Sequence, residues 1–96
     1  MSEPITILQQ AQSLIYGDRQ TDYGDAYKSF SKIAAMWSII LDTPVTPEKV
    51  CLCMDALKTV RLLHQPEHRD SIIDKAGYAG CYEKVLRSKP MPQIPE

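Results

Sequence analysis

The residues able to do chemistry fall in three clusters. Asp70, Asp74 and Tyr78 are spaced i, i+4, i+8, so on a helix they line one side, with neighbouring side chains about 5–6 Å apart. Two carboxylates one turn apart repel by a few tenths of a kcal/mol on an exposed helix, roughly. A cation between them would reverse that sign. Asp55, Lys58 and Arg61 recur at i, i+3, i+6 in an otherwise apolar stretch. Asp55, Asp70 and Asp74, carried on adjacent helices, form a candidate catalytic and Mg²⁺-binding set, since Mg²⁺ is a hard cation that takes oxygen ligands. Such an ion can bridge phosphates and orient an attacking water. Lys58 and Arg61 offer a point charge and a planar fork for phosphate. The third cluster is a loop, Arg19, Asp22, Tyr23, Gly24 and Asp25. There Arg19 is a further phosphate candidate, while Asp22, Tyr23 and Gly24, with Tyr78, are candidates for contacting base or sugar. Gly24 allows a positive φ or a close approach.

Each cluster has a structural alternative. Asp70 can be an early-turn acid favoured by the helix dipole, and Asp74 can pair with Lys58 or Arg61 as an internal ion-pair network. Asp25 can cap a helix and Tyr23 can close a core. His64 and His68 would be i, i+4 ligands, but Pro66 between them breaks the helix they need. Cys51 and Cys53 would point about 200° apart on a helix, which is no chelate. No P-loop and no G-x-S-x-G motif occurs.

Four helices must position these residues. The first is expected over 4–16, with Ile5, Leu8, Ala11 and Ile15 as its stripe, flanked by Ile7 and Leu14, and Gly17 as its end. A polar loop over 18–25 leads to a second helix over 25–41. Phe30, Ile33, Ala34, Trp37, Ile40 and Leu41 keep helical period there and read as the clearest core face, with Trp37 as an anchor. Thr46-Pro47-Glu48 is a strong helix start: hydroxyl cap, proline at the first position, acid in the first turn. The third helix then runs to about His64. Its apolar residues, Val50, Cys53, Met54, Leu57, Val60 and Leu63, lie on more than one side, so it is expected to be the most buried helix. The fourth runs from Pro66 or Glu67 to Ser88. Gly77 and Gly80 in its middle each cost about 1 kcal/mol relative to alanine and point to a close backbone or ligand. Residues 89–96 form a proline-rich tail, expected to be extended.

Composition bounds the rest. Ninety-six residues, 44% hydrophobic and 24% charged, make one all-α domain, a four-helix bundle-like fold over 1–96. A chain this short buries only about 60–65% of its unfolded surface, so a homo-oligomer, a dimer first, is expected. The net charge of −1 argues against a broad nucleic-acid surface. No signal peptide and no membrane span is legible, and three free cysteines fit a reducing cytoplasm.

Asp22-Tyr23-Gly24, then Lys58-Thr59-Val60-Arg61, then Asp70-Ser71-Ile72-Ile73-Asp74-Lys75-Ala76-Gly77-Tyr78 together resemble a small phage and prophage family of unknown function, whose pattern reads DYG, K-x-x-R, D-x-x-x-D-x-x-G-Y. The chain is also similar to the phage nucleotide-modification-associated domain family. More distantly it resembles the all-α nucleoside triphosphate pyrophosphohydrolases of the MazG type. That last resemblance implies a helical oligomer whose acidic helices bind Mg²⁺ and cleave between the α- and β-phosphates. The sequence departs from the type: Asp55-Ala56-Leu57-Lys58 stands where E-x-x-E belongs, and Ser71-Ile72-Ile73-Asp74 where E-x-x-D belongs.

Three functions remain open: a Mg²⁺-dependent phage enzyme acting on a nucleotide in the host cytoplasm, a non-catalytic nucleotide-binding sponge or sensor, and a protein–protein inhibitor on a degenerate fold. The sequence leaves open whether the chain is an enzyme.

Overall fold

Capping chemistry sets where the helices begin and end in the computed structural model, which describes residues 4–16 and 26–88. Helix α1 spans Ile7–Tyr16, α2 Ala26–Leu41, α3 Pro47–His64 and α4 Arg69–Ser88. The described residues are all-α, with no strand. The loop carrying Arg19, Asp22, Tyr23, Gly24 and Asp25, the proposed end at Gly17 and the tail over 89–96 lie outside the described residues.

Helix α1 starts three residues later than Pro4 suggested. Thr6 and Gln9 form a reciprocal box: the Thr6 hydroxyl accepts from the Gln9 N–H at 3.1 Å, and the Gln9 side-chain oxygen accepts from the Thr6 N–H at 2.8 Å. Two donors left orphaned at a helix start are satisfied at once. The α2–α3 connector is organised by Ser38. Its hydroxyl donates to the Ala34 carbonyl at 2.7 Å and accepts from the Val45 N–H at 2.8 Å. Asp42 takes a left-handed φ of 53°, and the Thr43 N–H reaches back to the Ser38 carbonyl at 3.2 Å. This is a Schellman end with aspartate where glycine is usual. Thr46 then caps α3 as expected, accepting from the Lys49 N–H. His68 begins α4, two residues after Pro66, its Nδ1 accepting from the Ser71 N–H at 3.2 Å and facing the Ser71 hydroxyl at 2.7 Å.

Helix α4 is the centre of the molecule. It packs against all three other helices, α2 and α3 also touch each other, and α1 touches α4 alone. Ile5 lies beside Arg69 and Ile15 beside Lys84, so α1 runs in the same direction as α4. Gly80 makes this possible, because a Cβ there would collide with the Ile15 side chain. Gly77 has open space where a Cβ would go. Only one of the two glycines therefore marks a close approach.

The buried apolar residues are Ala11, Ala34, Val50, Cys51, Ile73 and Val85. Several expected core positions face outward instead. In α1 the packed side is Ile7, Ala11, Leu14 and Ile15, while Ile5 and Leu8 are exposed. In α2, Phe30 and Trp37 are half-buried around Ala34, but Ile33, Ile40 and Leu41 are exposed. Helix α3 is not the most buried. Val50 and Cys51 are enclosed, but Cys53, Leu57, Val60 and Leu63 lie exposed. Its two-sided apolar pattern arises because one apolar side has no neighbour within the described residues.

Candidate functional site

The α3–α4 hairpin brings the central candidates together. The helices meet across a turn at 65–68, tied by the His68 N–H to the Gln65 carbonyl at 3.0 Å. Lys58 and Asp74 each lie eight residues from Pro66, so antiparallel packing sets them opposite each other. The Lys58 ammonium reaches Asp74 at 2.9 Å. One turn toward the start of α3, Asp55 receives a second ammonium, from Lys75, at 3.0 Å. Lys75 also donates to the Thr59 hydroxyl at 2.5 Å, and that hydroxyl in turn donates to the Asp55 carbonyl at 3.2 Å.

Tyr78 joins this cluster, one turn after Asp74. Its ring meets Phe30 of α2 edge to face, with centroids 6.5 Å apart at 77°, a favoured geometry for the ring quadrupoles. Burial pushes the Tyr78 hydroxyl above its ordinary value, Lys58 acts against that rise, and Asp74 adds to it. On the Asp55 side the hairpin opens into a groove of about 280 Å³, lined by Cys51, Leu52, Asp55, Tyr78, Ala79 and Tyr82. At its floor, burial pushes the Cys51 thiol up to about 11, with Cys81 adding to the rise. A thiol so raised stays protonated at neutral pH and is a poor nucleophile.

The other candidates lie apart. Asp70 is exposed in the first turn of α4, where the helix dipole favours an acid. Arg61 is exposed one turn beyond Lys58. Arg19, Asp22, Tyr23 and Gly24 lie outside the described residues. Among the described residues no three His, Cys, Asp or Glu side chains gather as a metal-holding group. Asp55 and Asp74 each face an ammonium on the neighbouring helix, so the donors as arranged suit two ion pairs better than one divalent cation. The Lys58–Asp74 pair is one of the two that the sequence offered for Asp74. The partner of Asp55 is Lys75, which the sequence reading did not single out, one residue beyond Asp74 and on the groove side of the helix. The hairpin register counted outward from Pro66 selects Lys58 over Arg61 as the partner of Asp74. Tyr82, one turn beyond Tyr78, was also missed. It is legible only as the next residue along that side of the helix.

The comparisons agree with the family-level reading. Residues 6–86 match a family described as a domain of unknown function, DUF6378. Over 93 residues the chain is 38% identical to the Gene 55 protein of Mycobacterium phage L5, covering 96% of this chain and 55% of that one. Over 85 residues it is 40% identical to the Gene 55 protein of Mycobacterium phage D29, covering 88% and 55%. The chain thus spans about half the length of these relatives. No solved structure matches, and no helix among the described residues is long and apolar enough to cross a membrane. The chain belongs to the DUF6378 family, a family of phage proteins.

Proposed function

Starting from that membership, we propose that the chain is a nucleotide-binding module, with the α3–α4 groove as its base site. The supporting observation is the groove itself: an apolar cleft carrying two tyrosines, with a carboxylate and two lysines on adjacent turns. A flat ring stacked on Tyr78 or Tyr82 would gain about 1–3 kcal/mol per contact. Asp55 would accept from ring amino groups. Lys75 and Lys58, with Arg61 beyond them, would meet the phosphates once drawn off their carboxylates. Arg19 is proposed as a further phosphate contact, and Asp22, Tyr23 and Gly24 as base or sugar contacts, from their residue types alone.

Binding is favoured over hydrolysis because both central carboxylates face lysines. Mg²⁺ held by Asp55, Asp70 and Asp74, with pyrophosphohydrolase chemistry, is the second arm of one experiment. Calorimetry and thermal shift over common and modified nucleotides, with EDTA and with Mg²⁺, test both arms, since a ligand that binds only the folded state raises its stability. Expected is binding that survives EDTA and weakens about tenfold or more in Tyr82→Ala, the loss of one stacking contact. Pyrophosphate release dependent on Mg²⁺ and abolished by Asp74→Asn would assign the hydrolase instead. Neither binding nor turnover across the set overturns the nucleotide reading.

A further inference from the structure

Helix α3 carries a second apolar side that faces away from α4. Its ion-pairing residues, Asp55 and Lys58, face α4, while Leu52, Ala56, Val60 and Leu63 run along its outer side at i, i+4, i+8, i+11. This is the 3-and-4 spacing of a helix–helix seam. Leu52 is 56% exposed, Val60 54% and Leu63 76%, with Leu57, 54% exposed, and the exposed Cys53 beside them. Leaving such side chains in water forfeits about 1.5–3 kcal/mol apiece. A contiguous exposed apolar stripe rimmed by polar residues is the mark of an interaction surface, and a standard interface takes ~800 Å² per partner.

We propose that this face is covered by a second copy of the chain, its α3 antiparallel to the first. The stripe is complementary to itself. With a two-fold axis beside residue 58, Leu52 meets the partner's Leu63, and small Ala56 meets the partner's Val60, which lets the helices close. The rim matches in charge: exposed Lys49 at one end of the stripe falls opposite exposed Glu67 beyond the other. An apolar centre with a charged rim is the ordinary anatomy of an interface, and a twofold axis makes both halves identical. The thin core of each copy, with two alanines and a cysteine among its six buried apolar residues, gives the pairing a stabilising role. The seam and the proposed base groove share only Leu52, at one end of the stripe; Val60 and Leu63 lie outside the groove, so the variants at 60 and 63 test the dimer apart from nucleotide binding.

Sedimentation and light scattering of the full chain over a dilution series read the state directly. Expected is a dimer that Val60→Glu converts to monomer with its helical circular dichroism retained. Leu63→Cys supplies an independent readout, because the antiparallel register sets residue 63 against the partner's Cys53. Mild oxidation is expected to give a covalent dimer that Cys53→Ser abolishes. A wild-type monomer at every concentration overturns the proposal and assigns the face to another occupant, such as the additional length the relatives carry. A dimer that survives Val60→Glu, or Leu63→Cys that fails to cross-link through Cys53, overturns it as well.

Discussion

The two seams that α4 makes, with α1 and with α3, are held by different physics. The α1 seam is a close approach over Gly80, clamped at both ends by long side chains. Arg69 donates to the Ile5 carbonyl at 2.7 Å and to the Gln10 side chain at 3.2 Å. Lys84 donates to the Ile15 carbonyl at 2.5 Å and sits 4.6 Å over the Tyr16 ring, a cation–π distance. Lys84 thereby satisfies a carbonyl that the end of α1 leaves without a helical partner. The Tyr16 hydroxyl donates to Glu83 at 3.1 Å, and that hydrogen bond is the main cause of its raised pKa. The α3 seam instead encloses Val50, Cys51 and Val85 and flanks them with two ion pairs. One seam depends on the absence of a side chain, the other on charges in matched pairs. A side chain seated directly on a glycine leaves little room for added volume, whereas half-buried ion pairs can be exchanged for other pairs of similar shape.

Three substitutions sharpen the contrast. The largest effect is expected at Gly80→Val. The branched side chain drives Ile15 aside and costs about 1–3 kcal/mol of overpacking, with little of the helix propensity that alanine would regain. Urea unfolding would show the lower midpoint, and amide exchange would show α1 opening before the α3–α4 hairpin. If the hairpin opens first, the division into two seams is wrong. Next comes Lys58→Met, expected to cost about 1–2 kcal/mol by leaving Asp74 half-buried and unpaired. Lys58→Met with Asp74→Leu should regain most of that loss, because an apolar pair can replace an ion pair. A double mutant no better than the single would show that the charges do more than pair with each other. Smallest is Gly77→Ala, three residues from Gly80 on the same helix but facing open space. It should raise stability by about 0.5–1 kcal/mol. A loss there would mean that something approaches that spot in solution.

The legible parts were those decided locally. Thr46-Pro47-Glu48 announced α3, whose observed ends match the expected ones, and of the six residues expected as the core face of α2, Phe30, Ala34 and Trp37 are on its packed side while Ile33, Ile40 and Leu41 are exposed. The Thr6–Gln9 box was written in the sequence as T-x-x-Q, and Pro4 outranked it as a start signal. For the candidate site, the residue types at 55, 58, 74 and 78 were legible, and so was their gathering on two adjacent helices. The pairing of Asp74 with Lys58 was legible as one of two alternatives, and that of Asp55 with Lys75 was not. Lys75 is a neighbour of Asp74 in sequence but points to the other edge of the hairpin, and only the crossing of α3 and α4 shows that it serves Asp55.

The sequence by itself determined four helices, the Thr46 cap of α3 and the family, because hydrogen bonds within a turn and apolar period depend on neighbours a few residues away. Only the tertiary structure decided that α4 is the hub, that Gly80 and not Gly77 is the contact glycine, and that the apolar outer side of α3 faces solvent. Periodicity says which residues share a side of a helix, but not what lies against that side. For α3 the two differ, since one apolar side, with Val50 and Cys51, is enclosed beside the paired Asp55 and Lys58, and the other is left open.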